Sequence, residues 1–313
     1  MKKLTIVIPA FNEEEVLPST LQRLFKIEQN LVHDQLLDQS SDILIVDDGS
    51  KDRTWQIIAD TNRQNTHIKG LKFSRNFGHQ NALIAGMQEA IKTADVVVTI
   101  DADLQDDPDA IPTMIKKFTT GTDIVYGVRN NRDSDSWFKR TTAVGYYKTL
   151  NLLGVKLVQN HADFRLMSKR AVQTLLQYKE RNLFIRGIIP MLGFKSDKVY
   201  YKRTPRLAGE SKYPLKKMLA FAWDGISSLS IAPVRAVLLL GIFASLLGII
   251  ALVYSVTVKW LGLAIHGWSS LMISIWILGG FQMISLGVIG EYIGKLTTEA
   301  KKRPRFTIET KIG

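Results

Sequence analysis

A run of apolar residues leads directly into a cluster of oxygen-bearing side chains in the first half of the chain. Val96 to Ile100 has the composition of a buried strand, and Asp101, Asp103 and Gln105 follow it at alternate positions. If the extended geometry continues, alternate side chains project from one face, so these three groups converge at the end of the strand. Carboxylate and amide oxygens are hard ligands that suit Mg²⁺ or Mn²⁺ better than zinc or copper. The pattern therefore predicts a divalent metal site.

The same residues have a simpler interpretation as a solvated acidic turn. Asp107 precedes Pro108, and an aspartate before a proline is typical of the start of a helix. An Asp-x-Asp pair is a weak signal by itself, so these residues alone leave both the metal site and the turn open.

Short apolar runs alternate with helix-like stretches over the first 130 residues. Strands are predicted at Leu4 to Ile8, Ile43 to Val46, Ile68 to Phe73, Val96 to Ile100 and Ile124 to Tyr126, and helices near Glu14 to Glu28, Thr54 to Asn62, Asn81 to Lys92 and Ile111 to Phe118. This alternation predicts an α/β fold built on a mostly parallel, doubly wound, Rossmann-like sheet. Ligands of such sheets bind beyond the carboxyl ends of the strands.

A polar motif follows each of the first four predicted strands. The motifs are Pro9-Ala10-Phe11-Asn12-Glu13, Asp47-Asp48-Gly49-Ser50, Ser74-Arg75-Asn76-Phe77-Gly78-His79 and the aspartate cluster. Each one alone could be an ordinary turn, but four of them on one predicted edge favour a binding site. No Gly-x-Gly-x-x-Gly and no Gly-Lys-Ser/Thr loop occurs, so neither a dinucleotide cofactor nor a P-loop nucleotide is indicated.

Composition narrows the classes of function. The 313 residues include no cysteine, which excludes disulfides, thiolate metal sites and a cysteine nucleophile. The formal net charge is +12, and this charge is the only sign of nucleic-acid binding. Because the basic residues concentrate beside two apolar segments, we expect a membrane lipid partner and no nucleic acid.

The two apolar segments cover residues 236–258 and 269–289. Each is uncharged and about long enough to cross ~30 Å of hydrocarbon as a helix. They predict a transmembrane hairpin within residues 233–290; two buried helices of a soluble core are the alternative. Lys and Arg are abundant between Lys198 and Lys217 and again after the second segment, whereas the connecting loop holds only Lys259. We therefore expect a multi-pass protein of the plasma (inner) membrane with both termini in the cytoplasm.

The remaining segments complete a predicted domain plan. We expect residues 1–213 to form a cytoplasmic domain that carries the polar motifs, residues 214–232 an amphipathic helix in the membrane interface, and residues 291–313 a cytoplasmic C-terminal tail. A helix packed on the soluble domain is the alternative for residues 214–232. Gly290-x-x-x-Gly294 permits close helix approach, which leaves a homo-oligomer open without defining one.

The ordered motifs resemble those of family 2 glycosyltransferases with the GT-A fold. The resemblance is carried by Ile-Pro-Ala-Phe-Asn-Glu, Val-Asp-Asp-Gly-Ser-x-Asp, Ser-Arg-Asn-Phe-Gly-His-Gln-x-Ala and Asp-Ala-Asp-Leu-Gln-Asp-x-Pro. The later pieces Ala162-Asp163-Phe164-Arg165-Leu166-Met167, Arg181-x-x-Phe184-x-Arg186-Gly187 and Arg206-x-x-Gly209-Glu210-Ser211-Lys212-Tyr213 look like the polyprenyl-phosphate glycosyltransferase branch. This resemblance implies an inverting enzyme that moves a hexose from a nucleotide-diphosphate sugar to undecaprenyl phosphate, giving a donor for cell-envelope glycosylation.

The resemblance also implies roles for individual residues. Pro9, Asn12, Glu13, Asp47, Asp48, Asn76 and Asp101 would bind the nucleotide sugar; Asp101, Asp103 and Gln105 would hold Mg²⁺ or Mn²⁺; and Arg129, Arg165, Arg206, Ser211 and Lys212 would contact phosphate of the donor or the acceptor. Asp103 and Asp163 would be catalytic. Asp163 matches a position often regarded as the base, but it could instead position the acceptor or pair with Arg165. For the basic residues, a solvated surface beside an anionic membrane is the alternative.

Several alternatives remain open on the sequence. UDP-glucose or UDP-N-acetylglucosamine is favoured as the donor, and GDP-mannose, as in dolichyl-phosphate-mannose synthases, is the alternative. A polysaccharide synthase normally carries Gln-x-x-Arg-Trp and more spans, and none of the six tryptophans here follows an arginine. A non-catalytic nucleotide-sugar sensor could lose the metal ligands, which are intact. A flippase and a downstream transferase are partners that the sequence leaves open.

Overall fold

The computed structural model describes residues 1–130, 161–181, 184–202, 232–261 and 267–313. The chain divides into two compact units, Met1–Ala220 with Arg303–Gly313, and Phe221–Lys302. The first unit is an α/β domain and the second contains two long helices. The predicted interfacial helix at residues 214–232, apart from its last residue, and the predicted phosphate ligands Arg206, Ser211 and Lys212 lie outside the described residues.

Within the described residues, the α/β domain is built on an eight-stranded sheet with the order β7-β5-β6-β4-β1-β2-β3-β8. The strands are β1 Leu4–Ala10, β2 Asp42–Asp47, β3 Ile68–Phe73, β4 Val96–Thr99, β5 Ile124–Arg129, β6 His161–Ser168, β7 Ser196–Tyr201 and β8 Ile308–Ile312. The pairs β1–β2, β1–β4, β2–β3 and β5–β7 are parallel. Strand β6 runs antiparallel to both β4 and β5, and β8 runs antiparallel to β3. The sheet is therefore mostly parallel, as predicted.

Helices cover the sheet and account for its apolar strands. They are α1 Leu17–His33, α2 Thr54–Gln64, α3 His79–Ala90, α4 Ile111–Thr119, α5 Lys169–Leu175 and α6 Ile185–Met191. Every residue of β1, β2 and β4 is buried, as expected for strands covered on both faces. Helix α3 packs closely on the sheet, because a methyl group at Gly86 would lie only 3.0 Å from Cγ2 of Val46.

The predicted strands and helices of the first 130 residues are all present, with their ends shifted by a few residues. The predictions did not include β6, β7 or β8. Residues 291–313, predicted as a cytoplasmic C-terminal tail, contribute to two elements. Residues 291–300 continue the last long helix, and Ile308–Ile312 form the edge strand β8.

The second unit contains helices α7 Ala232–Trp260 and α8 Trp268–Ala300. By length and composition, Pro233–Val258 and Ile277–Ala300 are long and apolar enough to cross a membrane, and neither segment is buried by the rest of the described protein. Side chains such as Leu239, Phe243 and Ile250 are correspondingly exposed. Such exposure is expected of helices that lie in lipid, since water would penalise so large an apolar surface.

Candidate active site

The acidic motif forms a turn at the carboxyl end of β4. The strand ends at Thr99, and Leu104 has a left-handed backbone with φ 51°, so the predicted extended run through Gln105 is wrong. The amide of Gln105 donates to Oδ1 of Asp103 at 3.2 Å, which tightens the turn. The predicted capping interaction is also present, because Asp107 Oδ1 accepts from the amide of Asp109 at 3.2 Å at the start of a short 3-10 helix, Pro108–Ala110. The turn and the metal-binding interpretation are thus compatible.

His79, the first residue of α3, lies between two carboxylates. Its Nε2 is 3.3 Å from Oδ2 of Asp163 and 3.6 Å from Oδ1 of Asp101. Asp101 comes from the turn after β4 and Asp163 from the beginning of β6. Three separate elements therefore meet at this histidine, to which the sequence assigned no role.

Asp163 is held by arginines as well as by His79. Arg186 of α6 donates from Nη2 to Oδ2 at 2.7 Å and from Nε to Oδ1 at 3.2 Å. Arg165, which is 2% exposed, donates from Nη2 to Oδ1. Two alternatives to a base were open for Asp163: it could position the acceptor or pair with Arg165. The structure contains the pairing with Arg165. It adds Arg186, whose role the sequence did not indicate.

The antiparallel direction of β6 explains how Asp163 reaches this edge. Thr99 pairs with Arg165 across β4 and β6, and Thr99 Oγ1 donates to the carbonyl of Asp163 at 2.5 Å. Because β6 runs against β4, the start of β6 lies beside the end of β4. The start of a reversed strand thus supplies a side chain to the same edge as the loops that follow the parallel strands.

The charges in this cluster shift the pKa values in opposite directions. Burial raises the pKa of Asp101 to about 6, with a further contribution from Asp163, although His79 opposes the shift. Burial acts against ionisation of Asp163 too, but Arg186, His79 and Arg165 hold its pKa well below the usual range. Burial opposes the charge on His79, yet the two carboxylates raise its pKa to about 9. At neutral pH, His79 is therefore a cation between two anions.

Arg129, predicted to contact phosphate, forms an ion pair within the protein. Its Nε and Nη2 lie 2.9 and 2.7 Å from Oδ1 of Asp106, which is 1% exposed. The hydroxyl of Tyr201, at the end of β7, donates to the same oxygen at 2.6 Å. The network attaches the acidic turn to β5 and β7. A phosphate contact by Arg129 remains a prediction.

The loops after β1 and β2 are joined by hydrogen bonds. The amide of Asn12, whose φ is 53°, donates to Ser50 Oγ at 3.0 Å, and the Asn12 side chain accepts from the amide of Lys51 at 2.9 Å. The amide of Glu13 donates to Thr54 Oγ1 at 2.9 Å. These bonds fix the two predicted nucleotide-binding loops against one another.

Asp47 and Asp48 end β2 and begin the loop that follows it, and they differ in their partners. Asp48 accepts from the amides of Phe77 and Gly78 at 2.6 and 2.9 Å, which fixes the loop after β3. Asp47 Oδ1 accepts from the amide of Ser50 at 3.0 Å, whereas its buried Oδ2 has no hydrogen-bond partner among the described residues. Burial raises the pKa of both carboxyls. Because its Oδ2 has no hydrogen-bond partner among the described residues, Asp47 retains an acceptor oxygen for a ligand.

The same edge brings the other predicted nucleotide-binding residues together. Pro9 is buried in β1 and pairs with Val46, while Asn76 is exposed in the loop after β3. Gly49, with φ 69°, permits close approach of the β2 and β3 loops, because a methyl group there would lie 2.6 Å from the amide nitrogen of Asn76.

The acidic turn fits a divalent cation in its charge and donor chemistry. Asp101 Oδ1 is buried and has no hydrogen-bond partner among the described residues, although 31% of the side chain is exposed. A cation bound there would offset the burial that raises the pKa of this carboxyl. No group of three His, Asp or Glu within the described ranges is arranged to hold a metal alone. The predicted set has two carboxylates and an amide, so a cation would need further oxygens from its substrate.

A mostly parallel sheet that gathers carboxylates, arginines and a charged histidine at its carboxyl edge is an α/β enzyme scaffold. The chain belongs to glycosyl transferase family 2, whose family model matches residues 5–176. The protein is therefore a glycosyltransferase, and the predicted GT-A architecture is confirmed.

Two relatives match nearly the whole chain in sequence, and one solved structure matches about three quarters of it. An uncharacterized glycosyltransferase of Bacillus subtilis (strain 168), YkoT, is 51% identical over 98% of this chain and 91% of its own length. The bactoprenol glucosyl transferase of Shigella phage SfX is 38% identical over 99% of both chains. Among solved structures, glucosyl-3-phosphoglycerate synthase from Mycobacterium tuberculosis, in complex with Mn²⁺, uridine diphosphate and phosphoglyceric acid, is 18% identical with a TM-score of 0.47, covering 73% of this chain and 77% of that one. The membrane association expected from the two apolar helices is consistent with the bactoprenol-related relatives.

Proposed function

We propose that the protein transfers a hexose from a nucleotide-diphosphate sugar to a polyprenyl phosphate, undecaprenyl phosphate in a bacterial membrane. The principal observation is the buried acceptor oxygen of Asp101, which lies beside Asp103 at the edge of the sheet and lacks a hydrogen-bond partner among the described residues. The apolar helices α7 and α8 would keep the enzyme at the membrane that contains its lipid acceptor. The bactoprenol glucosyl transferases at 38% identity support both the acceptor and glucose as the sugar.

Uridine diphosphate is the proposed nucleotide. One oxygen of Asp47 is engaged by Ser50 and the other is available, which suits a base that presents a single N–H. Uracil offers one such donor, whereas guanine would offer two to the same carboxylate. UDP-glucose is therefore preferred over GDP-mannose, and UDP-N-acetylglucosamine shares the same base. Pro9, Asn12, Glu13, Asp48 and Asn76 would complete the pocket.

Asp101, Asp103 and Gln105 would hold Mg²⁺ or Mn²⁺ against the donor's diphosphate. When bound, such an ion acts as a Lewis acid that stabilises the charge of the leaving group. This assignment matches the hard oxygen donors of the turn and the raised pKa of Asp101.

The proposed reaction is a direct displacement at the anomeric carbon of the sugar. A phosphate oxygen of the acceptor attacks the anomeric carbon while the bond from that carbon to the diphosphate oxygen breaks, and the electron pair leaves with the nucleoside diphosphate. The configuration at the anomeric carbon is inverted. A phosphate monoester is largely dianionic at neutral pH, because its second pKa is about 6, so the attack needs no protein base.

Asp163 is accordingly proposed as a positioning residue. Its depressed pKa makes it a poor proton acceptor, and its oxygens already accept from Arg165 and Arg186. Arg186 remains 37% exposed and could also contact acceptor phosphate. Arg206, Ser211 and Lys212 keep their predicted role as phosphate ligands. We expect Lys212→Ala to impair turnover with the fold retained; an unchanged rate across acceptor concentrations would contradict contact with phosphate.

The proposed topology leaves the catalytic domain and both termini in the cytoplasm. A reporter placed at Gly267, between α7 and α8, should be accessible from outside intact cells, because the basic residues flank the opposite ends of the two helices. Protection of this reporter would contradict the orientation. A homo-oligomer, a flippase and a downstream transferase are partners that stay open.

The transfer reaction can be tested with membranes that contain the full chain. They would be incubated with undecaprenyl phosphate and radiolabelled UDP-glucose, UDP-N-acetylglucosamine or GDP-mannose, with and without EDTA. We expect label from a UDP-sugar in a mild-acid-labile lipid and its loss with EDTA. Label in a growing polymer would indicate a polysaccharide synthase, and nucleotide-sugar binding without transfer would indicate a sensor.

A further inference from the structure

The segment that follows α8, residues 303–313, joins the α/β domain and is here termed the strap. It comes directly after the second apolar helix in the chain, and it includes β8. We propose that the strap is a positioning element of the active site, which holds the two segments that bring His79 and Arg186 to Asp163. Three sets of contacts, at successive positions along the strap, carry this inference.

The end of the strap adds a strand to the sheet. Strand β8 pairs with β3 from Gly70 opposite Ile312 to Phe73 opposite Ile308. Lys311 Nζ lies 2.6 Å from Oε1 of Glu89 in α3. The pairing fixes the strap along β3, the strand that leads into the loop with Asn76, after which α3 begins at His79.

The middle of the strap contacts the start of that loop. The ring of Phe306 stacks on Phe73 with centroids 5.1 Å apart and an interplanar angle of 10°, and Phe73 contacts the edge of Phe77 at 5.7 Å. The amide of Ser74 donates to the carbonyl of Thr307 at 3.1 Å. Because the amide of Phe77 donates to Asp48, these contacts continue into the hydrogen bonds that shape the loop before His79.

The beginning of the strap holds the segment that precedes α6. Arg305 Nη2 donates to the carbonyls of Tyr178 and Glu180 at 2.7 and 3.0 Å, and Arg181 Nη1 donates to the carbonyl of Pro304 at 3.2 Å. Charged donors make these bonds stronger than those between neutral groups. Helix α6, which starts at Ile185, carries Arg186 to Asp163.

The helices that follow the two held segments, α3 and α6, also contact each other, because the amide of Ile185 donates to Gln80 Oε1 at 3.0 Å. One continuous segment thus contacts the chain shortly before His79 and shortly before Arg186. Both residues lie within 3.3 Å of Asp163, so releasing the strap should loosen both sides of this carboxylate together.

The test compares two arginines on either side of Pro304 in the full-length protein. Arg305→Ala removes the donor to Tyr178 and Glu180, whereas Arg303→Ala removes the same charge from an exposed position in the strap. We expect Arg305→Ala to lower kcat by about 10- to 100-fold, because a small misplacement of reacting groups is costly, with less effect on the KM for the donor. Arg305→Lys should restore part of the rate, and Arg303→Ala should leave it near the wild-type value.

Hydrogen exchange provides a readout that does not depend on activity. In Arg305→Ala, amides of residues 74–79, 178–181 and 184–186 should exchange at least about tenfold faster, while the amides of β1 and β4 keep their protection. A fall in kcat without faster exchange in both segments would overturn the proposal. If Arg303→Ala matched Arg305→Ala in both measurements, a general charge effect would replace it.

A variant that failed to fold would not end the test. Phe306→Leu keeps an apolar side chain against Phe73 but removes the stacked ring, and it should produce the same pattern at a smaller amplitude. Wild-type kcat and exchange in this variant would overturn the positioning role. The inference concerning kcat rests on the site proposed above. Faster exchange in both segments without any loss of transfer would leave that site intact and refute the strap's role in positioning it.

Discussion

The acidic turn after β4 and the start of β6 each place a carboxylate beside His79, yet the two carboxylates are in opposite environments. Asp163 accepts from two arginines and has a pKa well below its usual range. Asp101 has a buried oxygen without a hydrogen-bond partner among the described residues, and burial raises its pKa to about 6. Asp163 is thus paired with Arg165, Arg186 and His79, whereas Asp101 faces His79 at 3.6 Å and its buried Oδ1 accepts no hydrogen bond from the described residues.

This difference distinguishes a carboxylate held by arginines from the carboxylate that we propose as a metal ligand. Residue type and spacing in the sequence do not distinguish the aspartates of the site from one another, whereas their contacts in the structure do. A carboxylate with its cations built in is suited to fixing the position of other side chains. A carboxylate that is buried without such partners is destabilising until something binds, so its presence favours a ligand site.

The largest expected effect comes from the turn. Asp103→Ala should lower sugar transfer on the order of 10³-fold while leaving membrane insertion intact, because it removes a proposed ligand that contributes several kcal/mol to the transition state. Asp109→Asn is the matched control, since Asp109 is exposed and pairs with Arg23. Incorporation of radiolabelled sugar into lipid measures the change. Normal turnover by Asp103→Ala would remove the metal-binding role of the turn.

The next largest effect is on stability, and it compares a variant of Asp163 with a variant of Asp101. Asp163→Ala should lower the free energy of unfolding by about 3 to 5 kcal/mol, because it removes the carboxylate partner of the buried Arg165. Asp101→Asn should cost much less, since burial disfavours the charge that it removes and His79, its partner at 3.6 Å, stays paired with Asp163. Denaturant unfolding of the purified protein without metal measures both. Equal losses in the two variants would abolish the distinction.

Asp106 is an intermediate case that sharpens the comparison. Its Oδ1 accepts from Arg129 and Tyr201, while its buried Oδ2 has no hydrogen-bond partner among the described residues. We expect Arg129→Ala to lower the free energy of unfolding by about 2 kcal/mol, through loss of a charged hydrogen bond, without raising the KM for the acceptor. A higher acceptor KM with unchanged stability would instead support the predicted phosphate contact.

The smallest expected effect is the pH dependence of stability from His79. Its pKa rises from 6.5 in the unfolded chain to about 9 in the fold, so its contribution is fully present below pH 6.5 and disappears as the pH rises through about 9. Solvent screens this partly exposed side chain, which keeps the effect small. Thermal unfolding in EDTA should show the alkaline loss in the wild type and a flatter profile in His79→Gln. Identical slopes would contradict the charged bridge.

The parallel part of the fold could be predicted because its residues follow simple patterns. Strands β1 and β4 are continuous apolar runs that end at turn residues, and α1 repeats leucines at helical spacing. Strand β6 could not be recognised in the same way, because its central residue is the buried arginine Arg165. Strand β8 has Glu309 and Lys311 on an exposed edge, so it lacks the apolar pattern of a core strand.

The site was partly accessible to the same reasoning. Motif order placed Asp47, Asn12 and the acidic turn at one edge, where the structure brings them. Asp101, Asp103 and Gln105 were expected to align by strand alternation, but the left-handed Leu104 makes a turn instead. The ion pairs of Arg129 and Arg186 join residues 23 positions apart in each case, and no local pattern encodes such contacts. Arg186 did lie in a recognised motif, which was the available signal.

Strand β8 has a consequence for how the protein is made. It follows both apolar helices in the chain, so the edge of β3 stays unpaired until the ribosome has synthesised α7 and α8. An unpaired strand edge is prone to association with other chains. Biosynthesis therefore completes the sheet only after both apolar helices have been synthesised, so we expect the catalytic domain to mature no earlier than its proposed membrane segments.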